Sequence, residues 1–313
     1  MDRLDVLCVG IAVADVMAKA IDEIPEWDRL GTFDHIEHHI GGCAVNTAVD
    51  LQRLGVRAAV AACVGRDATG DFVRRTLASS GVNTEGLVDS DAAATSYTFV
   101  MIGSDGRRRY LHHVGANAVF TETDVPDALI ARARILHIGG ALLMPAMDGE
   151  PTVRLLARAR QLGATTSMDT AFNPNVDAAA LIEPCLPHLD VFIPSIEEAQ
   201  AITGESDPGR ILDTLDGHGT RTLGVKLGAE GCLIRSSGET RRHAAFEVGV
   251  VDGSGAGDAF FAGYLYGVLQ GWGADESACF ANATAAHCIQ AIGCSAGVPT
   301  AEEVRAFMRA VAR

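Results

Sequence analysis

Short apolar runs alternate with amphipathic stretches along most of the chain. Leu4–Gly10, Ala58–Val64, Ile135–Ile138, Thr165–Met168, Val191–Ile193 and Thr222–Leu227 read as strands. Ala44–Leu54, Gly70–Ser80, Pro151–Leu162 and Ser195–Thr203 carry helical spacing between them. Strand–helix alternation predicts an α/β protein: a three-layer αβα core with a mostly parallel sheet. From about Ser254 the pattern is helical. One buried helix should run from Ala259 to Gly271 and a second over Ala278–Ile292. Asp207–Gly219 is polar and turn-rich, and is expected to be a solvated surface segment.

Two stretches break the rhythm. Residues 11–40 hold no convincing long helix. Thr95–Ile102 and Arg107–Val114 flank Gly103-Ser104-Asp105-Gly106, in which Asp105-Gly106 signals a hairpin. The expected organisation is therefore a core of residues 1–10, 41–94 and 119–313. A small inserted β-sheet from residues 11–40 and 95–118 would lie over a cleft as a lid.

Composition narrows the function. The formal net charge of −15 over 313 residues argues against nucleic acid or anionic membrane as a partner. The one dense basic run is Arg107-Arg108-Arg109, read either as a solvated turn or as a rim for an anionic substrate. Eight scattered cysteines form no Cys-x-x-Cys pair, which suits buried thiols in a reducing cytoplasm. Ala18-Lys19-Ala20 looks like a cleavage site. However, Asp2, Asp5 and Asp15 interrupt the apolar stretch before it, so export is not expected. No apolar run is long enough to cross a bilayer as a helix.

The strongest chemical signal is Asp252-Gly253-Ser254-Gly255-Ala256-Gly257-Asp258, just before a long apolar helix. Without bulky side chains, the amides of Gly255, Ala256 and Gly257 can approach an anion at the helix N-terminus. Asp258 stands at the same helix start, where the helix field should favour its ionised form. A phosphate nest beside a carboxylate is what phosphoryl transfer to an alcohol needs. As a bare pattern it is equally a Gly-rich loop with a capping Asp. Gly41-Gly42-Cys43-Ala44-Val45-Asn46 is a second small-residue helix start, with Asn46 offering a donor and an acceptor for hydroxyls.

The two motifs together resemble the signatures of the ribokinase (PfkB-type) carbohydrate kinases. The second is usually Asp-Thr-x-Gly-Ala-Gly-Asp in that family. The resemblance covers the whole chain and implies ATP-dependent phosphorylation of a sugar hydroxymethyl group. It implies Asp258 as catalytic base, with Gly255, Ala256 and Gly257 as the anion hole. Asp15, Gly42 and Asn46 would hold acceptor hydroxyls. Lys226, Gly228, Gly231 and Asn282 would lie along the nucleotide.

It also implies Mg²⁺ held through water by an Asn-x-x-Glu motif. Here Glu198 matches the Glu, but Ser195 replaces the Asn, which puts the metal affinity in question. A monovalent cation, K⁺, would be bound by Asp252, Ser254, Ala291 and Gly293. Homodimers through the lid are frequent in the family.

Few aromatics lie in the lid stretches, and Gly115-Ala116-Asn117-Ala118 resembles ribokinases themselves. Both favour a plain ribose- or fructose-like sugar, and the triple Arg keeps a sugar acid in play. The alternatives are a nucleoside acceptor of adenosine type and a non-catalytic sugar-sensing protein on the same fold. A dinucleotide-dependent dehydrogenase is excluded, because Gly10-Ile11-Ala12 lacks Gly-x-Gly-x-x-Gly. His35, His38, His39, His112, His113, Asp169 and Asn173 fall near the expected cleft without an assignable role.

Overall fold

A computed structural model describes residues 3–105 and 107–311. Gly106 of the expected hairpin turn lies outside the described residues. Two sheets organise the chain. The larger has nine strands in the order β13-β12-β11-β10-β9-β8-β1-β4-β5. Its strands are β1 (Leu4–Gly10), β4 (Ala58–Gly65), β5 (Asn83–Ser90), β8 (Ala133–Ala141), β9 (Thr165–Thr170), β10 (Val191–Phe192), β11 (Thr222–Lys226), β12 (Cys232–Ser236) and β13 (Glu239–His243). From β5 to β11 all neighbours are parallel, and β12 and β13 close that end antiparallel. The smaller sheet has the order β3-β2-β6-β7, from β2 (Val13–Lys19), β3 (His35–Gly41), β6 (Tyr97–Ile102) and β7 (Arg108–His113).

The helices are α1 (Cys43–Arg53), α2 (Ala68–Ser79), α3 (Asp127–Ile130), α4 (Glu150–Gln161), α5 (Ala178–Ile182), α6 (Ile196–Thr203), α7 (Pro208–Asp216), α8 (Ala256–Gln270), α9 (Ala274–Cys288) and α10 (Ala301–Val311). They cover both faces of the large sheet. Alternation along β1 shows why: Val6 and Cys8 enter the core under α1, α8 and α9, while Leu7 and Val9 enter the one under α4, α6 and α7. Both faces of a central parallel strand must be apolar, so such strands read as continuous runs. The three-layer architecture expected from the sequence is the one found.

Three local expectations need correction. Asp207–Gly219 lies at the surface as expected, but most of it is a helix with one buried stripe, not a turn-rich segment. Asp207 caps α7 by accepting from the Arg210 amide at 3.0 Å, and Ile211, Leu212 and Leu215 are buried. Three apolar residues at positions i, i+1 and i+4 suffice for a buried stripe despite the polar flanks. The second C-terminal helix spans Ala274–Cys288, four residues earlier than expected. It stops because the Ile289 carbonyl accepts from the amides of Val251 and Asp252, at 2.8 and 3.1 Å. β5 went unread because only Gly86 and Leu87 of its eight residues are buried, as suits a strand at the edge of a sheet.

Candidate active site

The strand order places a cleft at the carboxyl ends of the parallel strands, where open α/β sheets bind ligands. Its volume is about 500 Å³. It gathers Gly255, Ala256, Gly257, Asp258, Lys226, Gly228, Gly231, Asn282, Ser195 and Glu198 from four separate segments, together with Asp169 and Cys43.

The first turn of α8 forms one wall. Gly255 is its N-cap in a left-handed conformation, φ 76°. A Cβ there would also stand 2.1 Å from the Cys294 carbonyl oxygen. Only glycine meets both constraints. The opening amides of a helix have no partner inside it, so those of Gly255, Ala256 and Gly257 form a positively polarised rim.

Asp258, third residue of that helix, is buried. Its Oδ2 accepts from Asn46 Nδ2 at 2.8 Å. Burial pushes the carboxyl up to about 6, against the opposing pull of Asn46, Lys226 and Cys43. The carboxyl is still largely ionised at neutral pH, as the helix field leads one to expect, although desolvation works against that field.

Lys226, at the end of β11, donates from Nζ to Asp169 Oδ1 at 2.7 Å. Burial disfavours its charge, but the carboxylates of Asp169 and Glu198 overcome this and hold it protonated. Burial in turn raises Asp169 to about 7, with Lys226 opposing. Gly257 leaves room for the ammonium: its Cβ position would be 3.3 Å from Lys226 Nζ. A cation thus abuts the amide rim. Asp169, at the end of β9, is the partner that sequence reasoning named without a role.

Glu198 Oε2 accepts from the Ser195 amide at 2.8 Å and from Thr170 Oγ1 at 2.9 Å. Ser195 Oγ accepts in return from the Glu198 amide, closing a capping box at the start of α6. Ser195 therefore keeps the helix-starting half of the work an Asn would do. Among the described residues no three His, Cys, Asp or Glu side chains cluster closely enough to hold a metal directly. That donor set suits a Mg²⁺ ion bound mainly by water and phosphate oxygens. Glu198 would hold it through water, and the ion would screen the charge on transferring phosphate.

The other predicted residues are placed as follows. Asn282 Nδ2 donates to the carbonyls of His243 and Ala244, both at 3.2 Å, so it also pins the chain leaving β13. Gly42 has φ 96°, and a Cβ there would lie 2.4 Å from the Ile11 carbonyl oxygen. Its visible requirement is thus close backbone crossing. Asn46 holds the Asp258 carboxylate with its donor group, leaving its amide oxygen as the acceptor.

Asp15 lies in β2, in register with His39 of β3 and Thr98 of β6, while Thr98 is opposite His112 of β7. These four polar residues therefore share one face of the small sheet. Thr98 Oγ1 and His112 Nδ1 are 3.1 Å apart. Burial raises the Asp15 carboxyl against the pull of Thr98 and His39. The charges of Asp15 and Asp258 both reach the Cys294 thiol, so the lid carboxylate and the buried one flank the same loop. Asn173 donates to the Leu142 carbonyl at 2.8 Å and supports the loop after β9.

The monovalent-cation reading does not fit the donors as found. Asp252 Oδ1 and Ser254 Oγ both accept from Arg108 Nη1, at 2.6 and 2.5 Å. The Gly293 amide donates to Asp252 Oδ2 at 2.9 Å, so the second carboxylate oxygen is also engaged. Arg107 instead pairs with Asp105 at the surface. The basic run thus splits: its first residue is the solvated turn, its second a half-buried tether. Strand alternation, placing Arg108 on the inward face with Tyr110 and His112, was the signal that could have separated them.

A parallel αβα sheet, an amide rim, a lysine and a buried carboxylate at the cleft define a phosphotransferase acting on an alcohol group. The chain belongs to the pfkB family of carbohydrate kinases, whose family model matches residues 3–301. It is 29% identical to a nucleoside kinase of Methanothermobacter thermautotrophicus, covering 97% of this chain and 95% of that one. It is 26% identical to a ribokinase of Haemophilus influenzae, over 95% and 97%. In fold it resembles the Arabidopsis thaliana ribokinase complexed with ribose and ATP, with TM-score 0.85, 21% identity and 99% coverage of both chains.

The cramped fit at Gly255 gives a direct test. Gly255→Ala should lower stability by about 2–4 kcal/mol in chemical denaturation, from backbone strain and overpacking together.

Proposed function

We propose that this enzyme transfers the γ-phosphoryl group of ATP to the hydroxymethyl group of a small sugar, with Asp258 as general base. The observation carrying this reading is the buried Asp258 carboxylate at the amide rim of α8, held by Asn46 and facing a cleft that also holds Lys226. The ionised carboxylate takes the proton of the acceptor hydroxyl as its oxygen bonds to the γ-phosphorus. The bond from that phosphorus to the β–γ bridging oxygen breaks, and ADP leaves. The amides of Gly255, Ala256 and Gly257 stabilise the charge on the peripheral oxygens. Lys226 and the Gly228–Gly231 segment lie along the phosphates, with Asn282 near the far end of the nucleotide.

Asp15, Thr98 and His112 present hydroxyl-binding groups from the lid face, and this polar row favours a plain sugar. A purine or pyrimidine would call for stacking partners. Tyr97 is paired with His113, one position off the polar row, and so faces away from it, which leaves Tyr110 as the aromatic of β7 on the row's own face. Arg108 is already engaged, which weakens the sugar-acid alternative. The nucleoside alternative draws its support from the 29% identical relative.

A coupled assay of ADP release with ATP and Mg²⁺, across sugars, sugar acids, sugar phosphates and nucleosides, tests the reading. One sugar should stand out, and Asp258→Asn should lower its turnover by about 100-fold or more. Wild-type turnover in that variant would remove Asp258 from the mechanism. A nucleoside as best acceptor would overturn the choice of substrate class. Binding without turnover would favour a sensing protein.

We further propose a homodimer through the lid, in the cytoplasm. Trp27 and Leu30, in the segment joining β2 to β3, are 96% and 92% exposed, and Leu111 of β7 is 64% exposed. Large apolar side chains this exposed on the small sheet and its connecting segment favour cover by a second copy. Five of the eight free cysteines are buried, which suits a reducing compartment. Sedimentation should give a mass of two chains, and Trp27→Glu with Leu30→Glu should shift it towards one.

A further inference from the structure

The loop carrying the amide rim is held from its far side by a side chain of the lid. Arg108 stands on the inward face of β7. Its Nη1 meets Asp252 Oδ1 and Ser254 Oγ, three residues or fewer before Gly255. The Asp252 side chain is fully buried, and that of Arg108 is 18% exposed. Neighbouring groups hold the same carboxylate and loop. The Ser254 amide donates to Asp252 Oδ1 at 2.8 Å, and the Gly293 amide to Oδ2 at 2.9 Å. The Cys288 thiol lies within hydrogen-bonding reach of the carbonyl oxygens of Ser254 and Cys294, at 3.6 and 3.1 Å. A buried carboxylate needs a compensating cation. Burial alone would raise Asp252, yet Arg108 and the two amides hold it down to about 2.

We propose that the Arg108 guanidinium is a built-in monovalent cation. It takes the place that a bound metal ion would have beside the anion hole, so the enzyme needs no K⁺. Arg108 is then a positioning residue: it fixes Asp252 and Ser254, and through them the course of the chain into Gly255. Because Arg108 belongs to the lid, the small sheet and the amide rim are joined by one ion pair. A lid that moved away would leave Asp252 buried and unpaired, so the pair favours the state in which the lid sits on the cleft.

The proposal rests on the phosphoryl-transfer reading only for its kinetic part, and a melting experiment without substrate tests it separately. Wild-type protein and Arg108→Gln are melted in about 100 mM KCl and in the same concentration of tetramethylammonium chloride, whose ion is too large for the site. The wild type should melt at the same temperature in both salts. Arg108→Gln should melt lower in tetramethylammonium and recover about 2–4 °C in K⁺, as a vacated cation site would. In the ADP-release assay K⁺ should raise the turnover of Arg108→Gln about tenfold and leave the wild type unchanged.

A K⁺-specific rise in wild-type melting temperature overturns the proposal by itself, whether or not the variant folds. So does an Arg108→Gln protein that melts as the wild type does in both salts. If no acceptor is turned over by either protein, the proposed function fails while the melting comparison still decides the role of Arg108.

Discussion

The site depends on keeping a carboxylate dry at the start of a helix. Asp258 is buried, and desolvation drives it towards protonation, while Asn46, Lys226 and Cys43 pull the other way. The balance leaves it near the pH at which a base is useful. Reaching that balance fixes much else. α1 must bring Asn46 to within 2.8 Å of the carboxylate. α8 must begin where Gly255 lies against Cys294. β9 and β11 must end side by side of β10 so that Asp169 and Lys226 can pair across the cleft.

The charges around this point are arranged in pairs. Lys226 with Asp169, and Arg108 with Asp252, each put a cation against a buried carboxylate on either side of the amide rim. Such pairs add little to stability over an apolar alternative, but removing one partner is costly. Their better-supported effect here is geometric. The first sets a positive charge beside Gly257, and the second ties the lid to the loop before Gly255.

Much of this was legible in the sequence. The continuous apolar strands gave the parallel sheet, and the two small-residue motifs marked the two helix starts that meet at Asp258. What escaped was set by tertiary contact. α7 hides a three-residue apolar stripe among polar neighbours. The pairing of Asp169 with Lys226 joins strands 57 residues apart, which no local pattern reveals. Arg108 reaches a loop 144 residues away, so its place could be read only as a strand face. The upward shift of the Asp258 carboxyl was not legible, because the helix dipole is a local feature visible in sequence, whereas desolvation comes from elements packed around it.

The pH dependence of kcat/KM with the best acceptor tests the central claim most directly, because it reports the ionisation of the free enzyme's essential base. A base must be deprotonated to work, so the rate should climb through a pH of about 6 and level off above it. A profile already level at pH 5, with its inflection in the ordinary carboxylate range, would contradict a desolvated Asp258 as the base.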